Sequence, residues 1–233
     1  MPEFAGTQVP SAQGQGAPAA LALFDLDGTI TRRDTLLPYV SGFLRGQPAR
    51  TPGLARVVPT LLRFGLRKAD RGELKSSLIK STLGGVTRLE IADWTTRFVP
   101  RLLAHGLCEG ALDCLARHRA RGDTLVLMSA SVDLYVPEIG RALGFHETLC
   151  TAVRWNGEQL DGALAGPNLR GGEKARALKA LRSRYPGAAV TAYGNAASDL
   201  EHLCLAERGV LVNGGLRARR AARHLGLTCV SWR

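Results

Sequence analysis

The sequence predicts an α/β protein built on a doubly wound parallel sheet and interrupted by an all-helical insert. Three observations carry this expectation. A short apolar run, Leu21-Ala-Leu-Phe24, stops at two carboxylates, Asp25 and Asp27; a long stretch of helix signals follows; and from Thr124 onward apolar strands alternate with helices.

The first run has the length of a buried strand, and because side chains alternate along a strand, Asp25 and Asp27 can leave its end on the same side. Gly28 permits a sharp turn there, and Thr29 offers a hydroxyl to hold the turn or a bound anion. Asp34 can cap a helix running to about Gly46, and Thr51 can cap a second that carries Leu54, Val57, Val58, Leu61, Leu62 and Phe64. Asp70 with Glu73 and Thr87 with Glu90 read as capping boxes. Residues 33–106 are therefore expected to form the insert, between core segments 20–32 and 107–233. A helix from Glu109 to Arg121 leads into the strand Thr124 to Ser129. Then follow a helix near Asp133 to Leu143, a strand near Leu149 to Trp155 and a hairpin turn at Asn156-Gly157. A helix near Glu173 to Arg184, strand Ala189 to Tyr193, helix Asp199 to Ala206 and strand Gly209 to Asn213 complete the alternation.

Length and composition set bounds. With 233 residues, 45% of them apolar, the chain can bury a full core. Residues 1–19, rich in Ala, Gly, Gln and Pro without periodicity, read as a flexible leader, and they lack the basic start and apolar stretch of a signal peptide. No apolar run approaches the roughly 20 residues of a membrane span, so a soluble protein is expected. Cys108, Cys114, Cys150, Cys204 and Cys229 show neither metal-ligand spacing nor an even number for a disulfide framework, which predicts reduced thiols and a cytoplasmic setting. The net charge is +11, and Arg32 to Lys80 holds eleven Lys or Arg against three Asp or Glu. A second basic cluster, Arg217, Arg219, Arg220 and Arg223, lies near the C-terminus. No aromatic interleaving marks a base-stacking surface, so no nucleic-acid partner is expected.

In an open parallel sheet, ligands collect beyond the carboxyl ends of the strands. Those positions hold Asp25, Asp27, Ser129, Asn195 and Asp199, and Lys174 opens a helix after Gly171-Gly172. Paired carboxylates can hold a hard divalent cation, and one can attack phosphorus while the other moves a proton. A calcium loop is excluded, because its sixth and twelfth positions would fall on Ile30 and Leu36. Alone, Ser129 reads as an ordinary strand-end hydroxyl and Lys174 as a solvated helix residue.

Together, Asp25-Leu-Asp-Gly-Thr, Ser129, Lys174 in Gly-Gly-Glu-Lys, and Gly194-Asn-Ala-Ala-Ser-Asp199 resemble the four ordered motifs of the haloacid dehalogenase superfamily. An insert between the first two motifs is similar to the helical C1 cap of its phosphoserine-phosphatase-like subfamily IB. The resemblance implies a phosphomonoesterase with Asp25 as nucleophile, forming an aspartyl-phosphate, and Asp27 as acid and then base. It also implies phosphate binding by Thr29, Ser129 and Lys174, and Mg2+ held by Asp25, Asp27, Asn195 and Asp199.

Two positions depart from that pattern. Gly194-Asn195 stands where Gly-Asp is common, which predicts weaker metal binding, and Ala130-Ser131 replaces the Gly-Gly that usually follows the second-motif Ser. Asp34 occupies the place of an amine-recognising Glu in phosphoserine phosphatases and reads equally as a helix cap. The substrate is therefore a small-molecule or a lipid phosphate ester. The lipid alternative, such as phosphatidylglycerophosphate or a prenyl phosphate at a membrane surface, rests on Leu54 to Lys68, where apolar residues alternate with Arg56, Arg63, Arg67 and Lys68. The simpler expectation is that this apolar face packs on neighbouring helices. A reading of another class, a catalytically weak phosphate-binding or interaction protein, rests on Asn195 and is opposed by intact Asp25, Asp27, Ser129 and Lys174.

Overall fold

A computed structural model describes residues 20–232, so the expected leader 1–19 lies outside the described residues. Its centre is a six-stranded parallel sheet in the order β3-β2-β1-β6-β7-β8. The strands are β1 (Ala20–Phe24), β2 (Thr124–Val132), β3 (Glu147–Thr151), β6 (Ala189–Gly194), β7 (Arg208–Val212) and β8 (Thr228–Val230). A two-stranded ribbon of β4 (Val153–Asn156) and β5 (Gln159–Leu164) stands apart. The strands are near-continuous apolar runs because helices cover both faces of the sheet. Along β1, Leu21 and Leu23 join one core cluster with Leu178, Leu181 and Leu203, whereas Ala22 and Phe24 join the other with Leu115 and Ile139. The helices behind these clusters are α5 (Glu109–Ala120) and α6 (Val136–Ala142) on one side, with α7 (Gly172–Arg184), α8 (Leu200–Cys204) and α9 (Leu216–His224) on the other.

Between β1 and β2 lie α1 (Leu36–Gly46), a 3₁₀ helix (Pro48–Val57), α2 (Val58–Gly65), α3 (Arg71–Leu83) and α4 (Arg88–His105). Both capping boxes are formed: Asp70 accepts from Glu73 N at 2.8 Å and Thr87 from Glu90 N at 3.3 Å, with each Glu bonded back. The insert's entry and exit run side by side, Arg32 N donating to Gly106 O at 2.8 Å and Cys108 N to Ile30 O at 2.9 Å.

Several expectations are corrected. Thr51 caps no helix, since it sits inside the 3₁₀ segment. Pro52 removes the donor that an α-helix continuing from Pro48 would need, and Gly53 presses so closely on α3 that a Cβ would lie 1.9 Å from Ser81 O. The strand expected from Leu149 to Trp155 is two strands in two sheets. The chain leaves the main sheet at Ala152, Val153 N donating to Asp133 Oδ1 at 3.1 Å, and turns into the ribbon at Gly157 (φ +58). The expected packing of Leu54 to Lys68 is only partial: Val57, Thr60 and Phe64 are half-buried, whereas Leu54, Val58, Leu61, Leu62 and Leu66 are exposed. The C-terminal basic cluster lies on α9, with Arg217, Arg220 and Arg223 exposed and Arg219 half-buried.

Candidate active site

Asp25 N donates to Tyr193 O at 3.0 Å, which keeps the first carboxylate in register with β6 at the point where strand order reverses. The chain then turns tightly, the N–H groups of Thr29, Ile30 and Thr31 all donating to Leu26 O. Gly28 makes the turn at φ +77, and a Cβ there would fall 2.0 Å from Asn195 Nδ2. Glycine alone meets both demands.

Over these strand ends lies a cavity of about 490 Å³, whose lining includes Asp25, Asp27, Asp34, Lys174, Asn195 and Asp199. Lys174 is buried at the start of α7, and its Nζ donates to Asp25 Oδ1 at 2.7 Å and to Asp199 Oδ1 at 2.9 Å. Asp199 Oδ2 in turn accepts from Asn195 N at 3.1 Å and Ala196 N at 2.9 Å. Burial pushes the Asp25 carboxyl up to about 7 against the pull of Lys174. Burial also opposes the Lys174 ammonium, yet Asp25 and Asp199 hold its pKa above the ordinary value. For Asp199, burial is outweighed by Lys174, His202 and the Ala196 N–H together, and its carboxyl lies below the usual range. Burying such groups costs several kcal/mol per ion and returns little net stability. Perturbed groups of this kind in a cleft point to chemistry.

Asp27 is held separately. Its Oδ1 accepts from Thr35 N at 2.8 Å and Thr35 Oγ1 at 2.7 Å, and its Oδ2 accepts from Ser131 Oγ at 2.6 Å. Tyr135 OH lies 3.0 Å from Thr35 Oγ1 and extends the network. Burial raises the Asp27 pKa while Ser131 and Thr35 pull it down. The raised pKa favours the protonated form more than in an ordinary carboxyl, and the three donors keep it aimed.

Thr29 and Ser129 are wholly buried behind the lining. Thr29 Oγ1 donates to Asp25 Oδ2 at 3.2 Å, and Ser129 Oγ accepts from Ser131 N at 3.0 Å, keeping its own proton to donate. Asp34 lines the cavity, and as expected of a helix cap its Oδ1 accepts from Leu37 N at 3.2 Å at the start of α1. Among the described residues no three His, Cys, Asp or Glu side chains cluster as a metal site, so the expected set depends on amide and backbone oxygens as well.

Sequence reasoning missed Thr35, Ser131, Tyr135, Lys75 and Arg170. Lys75 reaches in from α3 to Ala130 O and, at 2.7 Å, to Asn168 Oδ1; burial pushes its pKa down to about 8. Arg170, half-buried, lines the wall beside Lys174. Only Ser131 had left a signal, as a departure from Gly-Gly.

Fold and site define a doubly wound α/β protein with paired carboxylates and a buried ammonium in one cavity at the strand ends. Residues 22–203 match the haloacid dehalogenase-like hydrolase family, and the chain belongs to it. The chain is 29% identical over 200 residues to Protein CicA of Caulobacter vibrioides, covering 85% of this chain and 88% of CicA. A Bordetella pertussis Tohama I protein of unknown function shares the fold at TM-score 0.80 with 22% identity, over 93% of this chain and all (100%) of that one. A phosphoserine phosphatase, solved as a phospho-aspartyl intermediate analogue, shares it at TM-score 0.64 with 15% identity, over 93% and 94% of the two chains. Among the described residues no helix is long and apolar enough to cross a membrane.

Proposed function

We propose that this hydrolase is a magnesium-dependent phosphomonoesterase that works through an aspartyl-phosphate on Asp25. The observation that carries the reading is the Lys174 ammonium bridging Asp25 and Asp199 in the cavity, beside an independently held Asp27. The fold shared with a phosphoserine phosphatase solved as a phospho-aspartyl intermediate analogue supports it.

In this reading an Asp25 carboxylate oxygen attacks phosphorus as the bond to the ester oxygen breaks, and Asp27 gives that leaving oxygen its proton. The Asp27 carboxylate then takes a proton from water, which attacks phosphorus, frees inorganic phosphate and restores Asp25. Lys174 and the Ser129 hydroxyl hold phosphoryl oxygens, and Thr29 steadies Asp25. The oxygen donors fit Mg2+: the carboxylates of Asp25 and Asp199, the Asn195 amide oxygen and the Asp27 backbone carbonyl would hold it. Lys174 offsets only part of the charge of Asp25 and Asp199, and Asp199 and Asp27 add to the burial that raises the Asp25 pKa. When bound, the cation offsets the repulsion between phosphate and Asp25. Residues 33–106 serve as the cap over this site, with Asp34 and Lys75 positioned to meet the leaving group. The scattered cysteines support a cytoplasmic setting.

The test is phosphate release from p-nitrophenyl phosphate. Release that stops on chelation and returns with added Mg2+ is expected. No release at any Mg2+ concentration by folded protein would overturn the reading.

A further inference from the structure

Large aliphatic side chains crowd the surface of one segment of the insert. Leu54, Val58, Leu61, Leu62 and Leu66 are between 41% and 67% exposed, with Leu37 nearby in the cavity lining at 62%. Val58, Leu61, Leu62 and Leu66 recur at i, i+3, i+4 and i+8, so they form one stripe along α2 and its C-terminal turn. The segment's own charge has one sign, although Glu73 of α3 pairs with Arg63 at 3.4 Å. From Thr35 to Ala69 the chain carries six Arg or Lys and no Asp or Glu, and Arg56, Arg63, Arg67 and Lys68 are all exposed. The same segment also turns inward, Val57, Leu61 and Phe64 at i, i+4 and i+7 lining the cavity that holds Asp25 and Lys174. Leu61 belongs to both rows, so the outer apolar stripe is continuous with the cavity wall.

We propose that this face docks on an anionic phospholipid bilayer, and that the substrate is a phosphate monoester with an apolar tail drawn from it. The substrate part rests on the phosphatase reading; the docking part does not. Exposed aliphatics ringed by arginine complement a surface that is negative outside and apolar within. A soluble phosphoamino acid or sugar phosphate would leave the wall of Val57, Leu61 and Phe64 against polar atoms, whereas an alkyl or acyl chain would cover it. Gly53, held against Ser81 of α3, fixes the segment with its leucines outward and makes the face a built surface.

The test uses the full chain with vesicles of phosphatidylcholine and phosphatidylglycerol in equal parts, and vesicles of phosphatidylcholine alone as reference. Binding to the mixed vesicles, weakened by salt, is expected. In the double variant Leu62→Ser/Leu66→Ser, altered outside the cavity, binding should fall by about tenfold or more while hydrolysis of p-nitrophenyl phosphate is unchanged. Without vesicles and below the micelle concentration, butyl and octyl phosphate should differ by about tenfold or more in kcat/KM, favouring octyl phosphate. Wild-type protein that ignores anionic vesicles, or a variant that binds them equally, would overturn the docking. So would a dimer by sedimentation that the same substitutions dissolve, since it would give the face to a second copy of the chain. Equal kcat/KM for the two esters would overturn the apolar substrate. Failure to release phosphate from any ester would remove the phosphatase reading and the substrate part together, with vesicle binding still deciding the docking.

Discussion

Ser131 Oγ donates a 2.6 Å hydrogen bond to Asp27 Oδ2 across 104 positions of the chain. The pattern this sequence resembles predicts Gly-Gly after Ser129, so the departure at Ser131 has a physical consequence. It supplies Asp27 with a donor that glycine cannot. With the two donors from Thr35, it fixes a buried carboxyl whose charge would otherwise be poorly solvated.

Ser131→Ala is therefore expected to raise the Asp27 pKa further, because the lost bond favoured the ionised form. A higher pKa keeps Asp27 protonated to higher pH, so the alkaline limb of the phosphorylation step should move upward. The loosened carboxyl should also lower kcat by about tenfold. Pre-steady-state pH profiles with a poor leaving group check both. An unmoved limb would assign Ser131 to backbone support of Ser129 alone.

Asp25→Asn should reduce turnover by a factor on the order of 10³ or more, since an amide forms no acyl-phosphate. Lys174 keeps Asp199 as a partner at 2.9 Å, so the fold should persist. Circular dichroism and phosphate release together make the check. Near-normal activity would remove Asp25 as nucleophile.

His202 sets an acid limit on stability. Its ring is buried, Nδ1 has no hydrogen-bond partner among the described residues, and burial followed by repulsion from Lys174 pushes its pKa down to about 3. The unfolded chain binds a proton below about 6.5, while the fold refuses one. The contribution is thus full above that pH and is lost as pH falls toward about 3, at about 1.4 kcal/mol per unit. Urea midpoints of wild type and His202→Gln at neutral pH and near pH 5 should show the smaller acid loss in the variant. Parallel losses would place the acid sensitivity elsewhere.

What was legible in the sequence follows from what is local. The parallel strands stood out because burial on both faces leaves short apolar runs, and the capping boxes because their bonds span three residues. Asp25, Asp27, Lys174, Asn195 and Asp199, each found beside a strand end or a helix start, do line one cavity. The 3₁₀ turn after α1 was lost because its prolines look like helix starts, and β8 because three residues make no pattern. Thr35 and Tyr135 were invisible for a different reason. They meet at 3.0 Å across 100 positions, and only the folded sheet brings them together around Asp27.

Asn195 is where this chain departs most from the pattern it resembles, and replacing it isolates one variable. It lines the cavity, its N–H is already bonded to Asp199, and its side-chain amide lies against Gly28. Asn195→Asp adds a carboxylate of nearly the same shape beside Asp25, Asp27 and Asp199. Because a hard dication prefers charged oxygen, half-saturating Mg2+ should fall by about tenfold, with kcat changed by no more than about twofold. Without metal the added charge should crowd the site and lower the melting temperature, and Mg2+ should restore it. Activity and thermal melting, each titrated with Mg2+, give independent readouts. A folded variant with unchanged affinity by both would place Asn195 outside the metal shell and leave Asp199 as the ligand from that loop.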